Sequence, residues 1–157
     1  MRVVLQFELD ATPDAVWEML HDPLALGQVL APLLRITPVG HRRFPPRWSS
    51  GEHLTRAKVL GVVPVGDQLI RLSESTRGDA RILEDSGGPV SGMLAVITTW
   101  RHRMAVSRIE GDRTLYRDRL DFSAGILTPV VWIGIWALWQ FRANGIRRVI
   151  ARRAARP

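Results

Sequence analysis

Residues 125–154 read GILTPVVWIGIWALWQFRANGIRRVIARRA, and this stretch decides the fold. Gly125 to Phe141 contains no charged residue. Trp132, Trp136 and Trp139 recur at i, i+4 and i+7, which places them along one side of a helix. From Arg142 onward the same helix turns basic, with Arg142, Arg147, Arg148, Arg152, Arg153 and Arg156 and no acid. The pattern predicts one long C-terminal helix, apolar at first and solvated at its basic end, where cations also favour the helix dipole.

Everything upstream reads as short strands in need of an apolar cover. Val3, Leu5, Phe7 and Leu9 alternate with Val4, Gln6 and Glu8, which is a strand with one face buried. Thr12-Pro13-Asp14 supplies an N-cap, a proline at N1 and an acid in the first turn, so a helix starts there and carries Val16, Trp17 and Leu20 inward. It stops near His21-Asp22-Pro23, and a second short helix runs to about Leu30. Strand patterns follow over 33–40, 52–60, 68–74, 81–84, 96–106 and 113–122, with Gly61 to Gly66, including Pro64, expected as a turn.

Consecutive strands joined by short turns form an antiparallel meander, and a twisted sheet of this size curls. Only the C-terminal helix is long enough to close its concave face. The expected fold class is α+β: a helix-grip fold with a curved antiparallel sheet of about six or seven strands wrapped on that helix, and two short helices after the first strand. One domain spans residues 1–157, and a cavity lies between sheet and helix.

Composition narrows the function. The 157 residues suffice for a single core, and an apolar fraction of 46% with 24% charged is that of a globular domain. There is no cysteine, which excludes disulfides, thiolate metal sites and thiol nucleophiles. The N-terminus alternates and carries acids, unlike a signal peptide, so a cytoplasmic address is expected. The net charge is +7, and Lys58 is the single lysine among 22 basic residues, a bias as much compositional as functional. The basic end could make weak contact with anionic membrane, the solvated reading being preferred, and nucleic acid is not an expected partner.

Four stretches carry a family resemblance: LQFELDATPDAVWEMLHDP at the start, LGVVPVGDQLIRL, TWRHRMAV, and TLYRDRLDFSAGILTPVVW. They resemble the SRPBCC superfamily, which includes START, polyketide cyclase and Bet v 1-type proteins. The resemblance covers nearly the whole chain and is closest to bacterial members without a known activity. It implies the helix-grip fold and a cavity for hydrophobic ligands such as lipids, sterols or polyketides. Activity is implied only broadly, since carriers and cyclases share the fold. One departure is IGIWALWQFRANGIRRV, which is more apolar than the last helix of the relatives it resembles.

Two neighbouring strands hold the candidate chemistry. Trp100, His102, Met104 and Val106 share one face, and Tyr116, Asp118, Leu120 and Phe122 share a face of the next strand. With the turn centred on Glu110, His102 falls opposite Asp118 and Met104 opposite Tyr116; a slip of one residue would move one of them to the other face. A His-Asp pair in an apolar cavity makes a tuned general base. The plainer reading, a buried pair that satisfies itself or orients a ligand, is preferred, because no nucleophile motif such as GxSxG accompanies it. His53 and Glu74 are expected to point into the cavity as well. No metal-ligand spacing occurs and GVVPVG and SGGPVSG lack the P-loop lysine, so no metal or cofactor is expected.

The expected cavity wall is Phe7, Trp17, Trp100, His102, Met104, Tyr116, Asp118, Leu120, Trp132, Trp136 and Trp139. The expected function is binding or carriage of a hydrophobic small molecule. One alternative is a cyclase or dehydratase-type enzyme using His102 and Asp118 as an acid/base pair. Another is a membrane-peripheral or interaction module built on the tryptophan-rich and arginine-rich helix. Ala124 to Phe141 reaches the lower length limit for a membrane span, but Thr128, Pro129, Gly134 and Gln140 lower its hydropathy. The apolar back face, Ile133, Ala137 and Phe141, could instead pair two subunits as a homodimer or rest on a bilayer.

Overall fold

The computed structural model describes residues 1–155, so Arg156 lies outside the described residues. The elements run β1 (Arg2–Leu9), α1 (Pro13–Leu20), α2 (Pro23–Leu30), β2 (Leu34–Pro38), β3 (Gly51–Val59), β4 (Val63–Arg77), β5 (Ala80–Asp85), β6 (Gly88–Pro89), β7 (Thr99–Ile109), β8 (Arg113–Ser123) and α3 (Thr128–Ala154). The strands form one antiparallel sheet in the order β1-β8-β7-β5-β4-β3-β2, with the short β6 on β4. This is the helix-grip arrangement expected, and the sheet is not closed: β1 and β2 are its edges.

Local chemistry sets the helix starts. The Thr12 hydroxyl accepts from the Ala15 amide at 3.3 Å and the Asp22 carboxylate from the Leu24 amide at 2.8 Å, with Pro13 and Pro23 opening the two helices. In β1 the inward set Val3, Leu5, Phe7 and Leu9 is buried and the residues between are exposed. Thus β1, β8 and α3 share one apolar core.

The turn expected over 61–66 is shorter. Strand β4 already begins at Val63, and pairing shifts from Ala57↔Gly66 to Lys58↔Pro64, leaving Val65 as a bulge. A proline without a ladder donor is tolerated at such an irregularity. The β7–β8 register also differs from expectation. The turn closes on Ile109↔Arg113, with Gly111 and Asp112 both at positive φ, so His102 lies opposite Leu120 and Met104 opposite Asp118. The slip is two residues, so every side chain keeps its face.

Helix α3 crosses α2 at very close range. A Cβ built on Gly145 would stand 2.0 Å from the Val29 carbonyl oxygen. The opposite face of the N-terminal half of α3 is apolar and open, with Val130 and Ile133 exposed, as is Ile126 just before the helix. By length and composition this helix could cross a membrane, with 28% of its most apolar window buried.

Candidate functional site

A cavity of about 410 Å³ lies between α3 and the sheet, on the β2–β5 and β7 side. Leu26, Val29 and Leu30 of α2, Leu34 and Ile36 of β2, Ile70 and Leu72 of β4, and Leu94 and Ile97 before β7 supply apolar walls. Helix α3 contributes Val131, Ile135, Leu138, Trp139, Arg142 and Ile146, an inward stripe at helical spacing. The charged or amide side chains in the lining are Gln68, Asp85, His102 and Arg142.

The polar groups centre on Asp118, which is fully buried. One carboxylate oxygen, Oδ1, accepts from His102 Nε2 and from Trp139 Nε1, both at 2.8 Å. The other, Oδ2, accepts from the Tyr116 hydroxyl at 2.8 Å and from Arg142 Nε at 3.0 Å. Four donors from β7, β8 and α3 thus converge on one anion. His102 reaches Asp118 across the diagonal of the two strands rather than from directly opposite.

Electrostatics follow the geometry. Burial by itself would raise the Asp118 carboxyl, but the charges of His102 and Arg142 and the hydrogen bonds of His102 and Trp139 hold it far below the usual carboxylate range. Burial would lower Arg142, but Tyr116 and Asp118 beside it overcome that and keep the guanidinium charged. Burial first, and then the Asp118 charge, push the Tyr116 hydroxyl well above its ordinary value, so it stays a donor. An ionised carboxylate only accepts, so His102 Nε2 carries a proton, and Nδ1 is the ring nitrogen left free.

Of the expected wall residues, Trp100, His102, Met104 and Trp139 face the cavity. Of the others, Phe7, Tyr116, Asp118 and Leu120 sit on the β1–β8 side, where the concave face is filled by the core. Phe7 packs on Tyr116 at 5.2 Å, Leu120 is fully buried in the core, and Asp118 lies behind His102 and Arg142. Trp17 packs on His21 at 4.8 Å under Arg81. Trp132 and Trp136 are turned away from the cavity stripe: Trp132 donates to the Arg2 carbonyl at 2.8 Å, and Trp136 is exposed. Neither His53 nor Glu74 enters the cavity; His53 packs on Trp48 and meets the Ser49 carbonyl, and Glu74 pairs with His21 at 3.0 Å.

Arg142 corrects the reading of the basic helix end. At the head of a run of arginines it reads as solvated, yet it stands three residues after Trp139 and seven after Ile135, on the inward stripe, and is 7% exposed. That spacing is the signal that could have found it. Further along, Arg147 lies over the Phe7 ring at 4.2 Å, Arg148 over Phe141 at 5.7 Å, and Arg153 pairs with Asp22.

A sheet wrapped on one long helix, with two short helices after its first strand, defines the helix-grip fold. Residues 7–150 match the model of the family described as a domain of unknown function, DUF8410, and the chain belongs to that family. Among solved structures, it is similar to an aromatase/cyclase from a Streptomyces species, with 14% identity, a TM-score of 0.69, and 98% of this chain and 95% of that one covered. A START superfamily protein from Mycobacterium smegmatis gives 15%, 0.64, and 96% and 97%. A protein from Arthrobacter aurescens solved by NMR gives 15%, 0.71, and 96% and 86%. At these identities the likeness is one of fold. No curated protein matches the sequence.

Proposed function

We propose that this protein binds an apolar small molecule in the cavity between its sheet and α3. The observation that carries the reading is an apolar cavity of about 410 Å³ with a few convergent polar groups at one wall. Volumes of this order and linings of this kind suit small-molecule sites. Affinity would come from burying apolar ligand surface, worth roughly 25 cal/mol per Å². The polar groups would fix orientation. Native mass spectrometry of protein purified from its own host is expected to find a near-stoichiometric apolar molecule. Protein that is empty, and that a panel of apolar compounds fails to stabilise in thermal-shift assays, would overturn the proposal.

A second reading is an enzyme of the cyclase or dehydratase type, favoured by the 2.8 Å bond between His102 and Asp118. In this reading Asp118 holds the ring and His102 alone moves the proton through Nδ1, since Asp118 is already saturated with donors. His102→Gln is then expected to abolish turnover of the bound compound while leaving its affinity within a few-fold. Unchanged turnover in that variant would rule this mechanism out.

A further inference from the structure

The polar wall of the cavity is incompletely satisfied, at one nitrogen of Arg142 and one of His102. A guanidinium carries five N–H donors. In Arg142, Nε donates to Asp118 and Nη2 to the Met104 sulfur at 3.2 Å, a weak acceptor; Nη1 makes no hydrogen bond of normal geometry among the described residues, and the Tyr116 hydroxyl beside the guanidinium is already committed to Asp118. His102 donates through Nε2, and its Nδ1 has no partner there either. Neither atom is sealed away, because among the described residues Arg103 Nε is the one enclosed side-chain nitrogen or oxygen lacking a partner. His102 and Arg142 are 6% and 7% exposed and both line the cavity, so what remains open on them opens there. They are also neighbours, bound to the two oxygens of one carboxylate.

A group that fills both gaps must accept from the guanidinium and share a proton with the imidazole nitrogen. A carboxyl group does both with two oxygens, one for each gap. One oxygen accepts from Arg142, and the other shares the proton on His102 Nδ1. The ligand then holds a carboxylate against an imidazolium and a guanidinium. Charge balances within the cluster: two negatives, Asp118 and the ligand, against two positives, Arg142 and His102. Asp85, the other acid at the wall, does not compete for these positions, since it is occupied by the Arg71 and Gly87 amides and by Trp100 Nε1. We infer that the ligand is an apolar carboxylic acid, its chain along the apolar walls and its head between Arg142 and His102. This rests on the cavity being a ligand site.

The test is a matched series on the full chain: decanoic acid, methyl decanoate and 1-decanol, titrated calorimetrically. The acid is expected to bind about tenfold or more tighter than the ester and the alcohol, the size of a charge-assisted hydrogen bond. In Arg142→Met that advantage should fall towards parity. Should that variant fail to fold, the wild-type series decides alone. Equal affinities across the series, or an alcohol that binds tightest, would overturn the acid head while leaving the cavity reading intact. Binding of none of the three overturns both.

Discussion

Replacing Asp118 with alanine is expected to cost the fold about 3–5 kcal/mol, the usual penalty for breaking a buried ion pair from one side. Four donors lose their acceptor at once, and the Arg142 guanidinium is left as a lone charge in the core. The loss should be read from urea denaturation at pH 7. The double variant Asp118→Ala with Arg142→Met is expected to recover a large part of it, because no unpaired charge remains. A double variant as unstable as the single one would show that the carboxylate matters for reasons other than the arginine. The same titrations repeated in acid carry a sign. Although burial works to raise it, the folded pKa of Asp118 is depressed below its unfolded value, so its contribution is complete above about pH 4 and is lost as pH falls through the folded value. The gap between wild type and Asp118→Ala should close only in strong acid.

The second large effect is expected at Gly145. Alanine there gains about 1 kcal/mol of helix propensity. The new Cβ, however, would lie 2.0 Å from the Val29 carbonyl oxygen, 2.8 Å from its carbon and 3.0 Å from its Cα. All three are backbone atoms of α2, so no side chain can rotate aside, and α3 must move off α2. Overpacking of this kind costs about 1–3 kcal/mol or more. The clash is with backbone, so the upper end of that range applies, and net of the propensity gain the expected loss for Gly145→Ala is about 2 kcal/mol, seen as a lowered melting temperature. Gly134 on the same helix has nothing within 4 Å of a built Cβ, so Gly134→Ala should be neutral or stabilising. Were the two substitutions to behave alike, the close α2–α3 crossing would be wrong.

Much of this architecture was legible in the sequence because it rests on local signals. The alternation of β1, the Thr12-Pro13 and Asp22-Pro23 helix starts, and the apolar run of α3 each report on their own neighbourhood. What failed was long-range. The β7–β8 register depends on whether the turn centres on Glu110 or Gly111, which composition does not decide; positive φ at Gly111 and Asp112 settles it. The tryptophans misled because an apolar stripe shows that a helix has a buried side but not which neighbour each residue meets. Trp139 borders the cavity and Trp132 reaches the Arg2 carbonyl. Arg142 was hidden by its company: an arginine preceding Arg147 and Arg148 reads as solvated until its spacing from Ile135 and Trp139 is weighed. Nor does any pattern say that Phe7, Tyr116 and Leu120 fill one half of the concave face and leave the other half hollow.

The pairing of β1 with β8 also has a temporal side. Arg2 meets Asp121 and Leu9 meets Thr114, so the first strand has no sheet partner until the last strand exists. Translation at ~5–20 residues per second separates the two by several seconds. Throughout that interval Val3, Leu5, Phe7 and Leu9 form an apolar edge without a neighbour, the kind of segment that nascent-chain chaperones hold and that self-associates when they do not. Sequence separations this long also make for slow refolding. The order in which the ribosome delivers the strands thus leaves β1, made before the rest of the sheet, as the last strand to find its place.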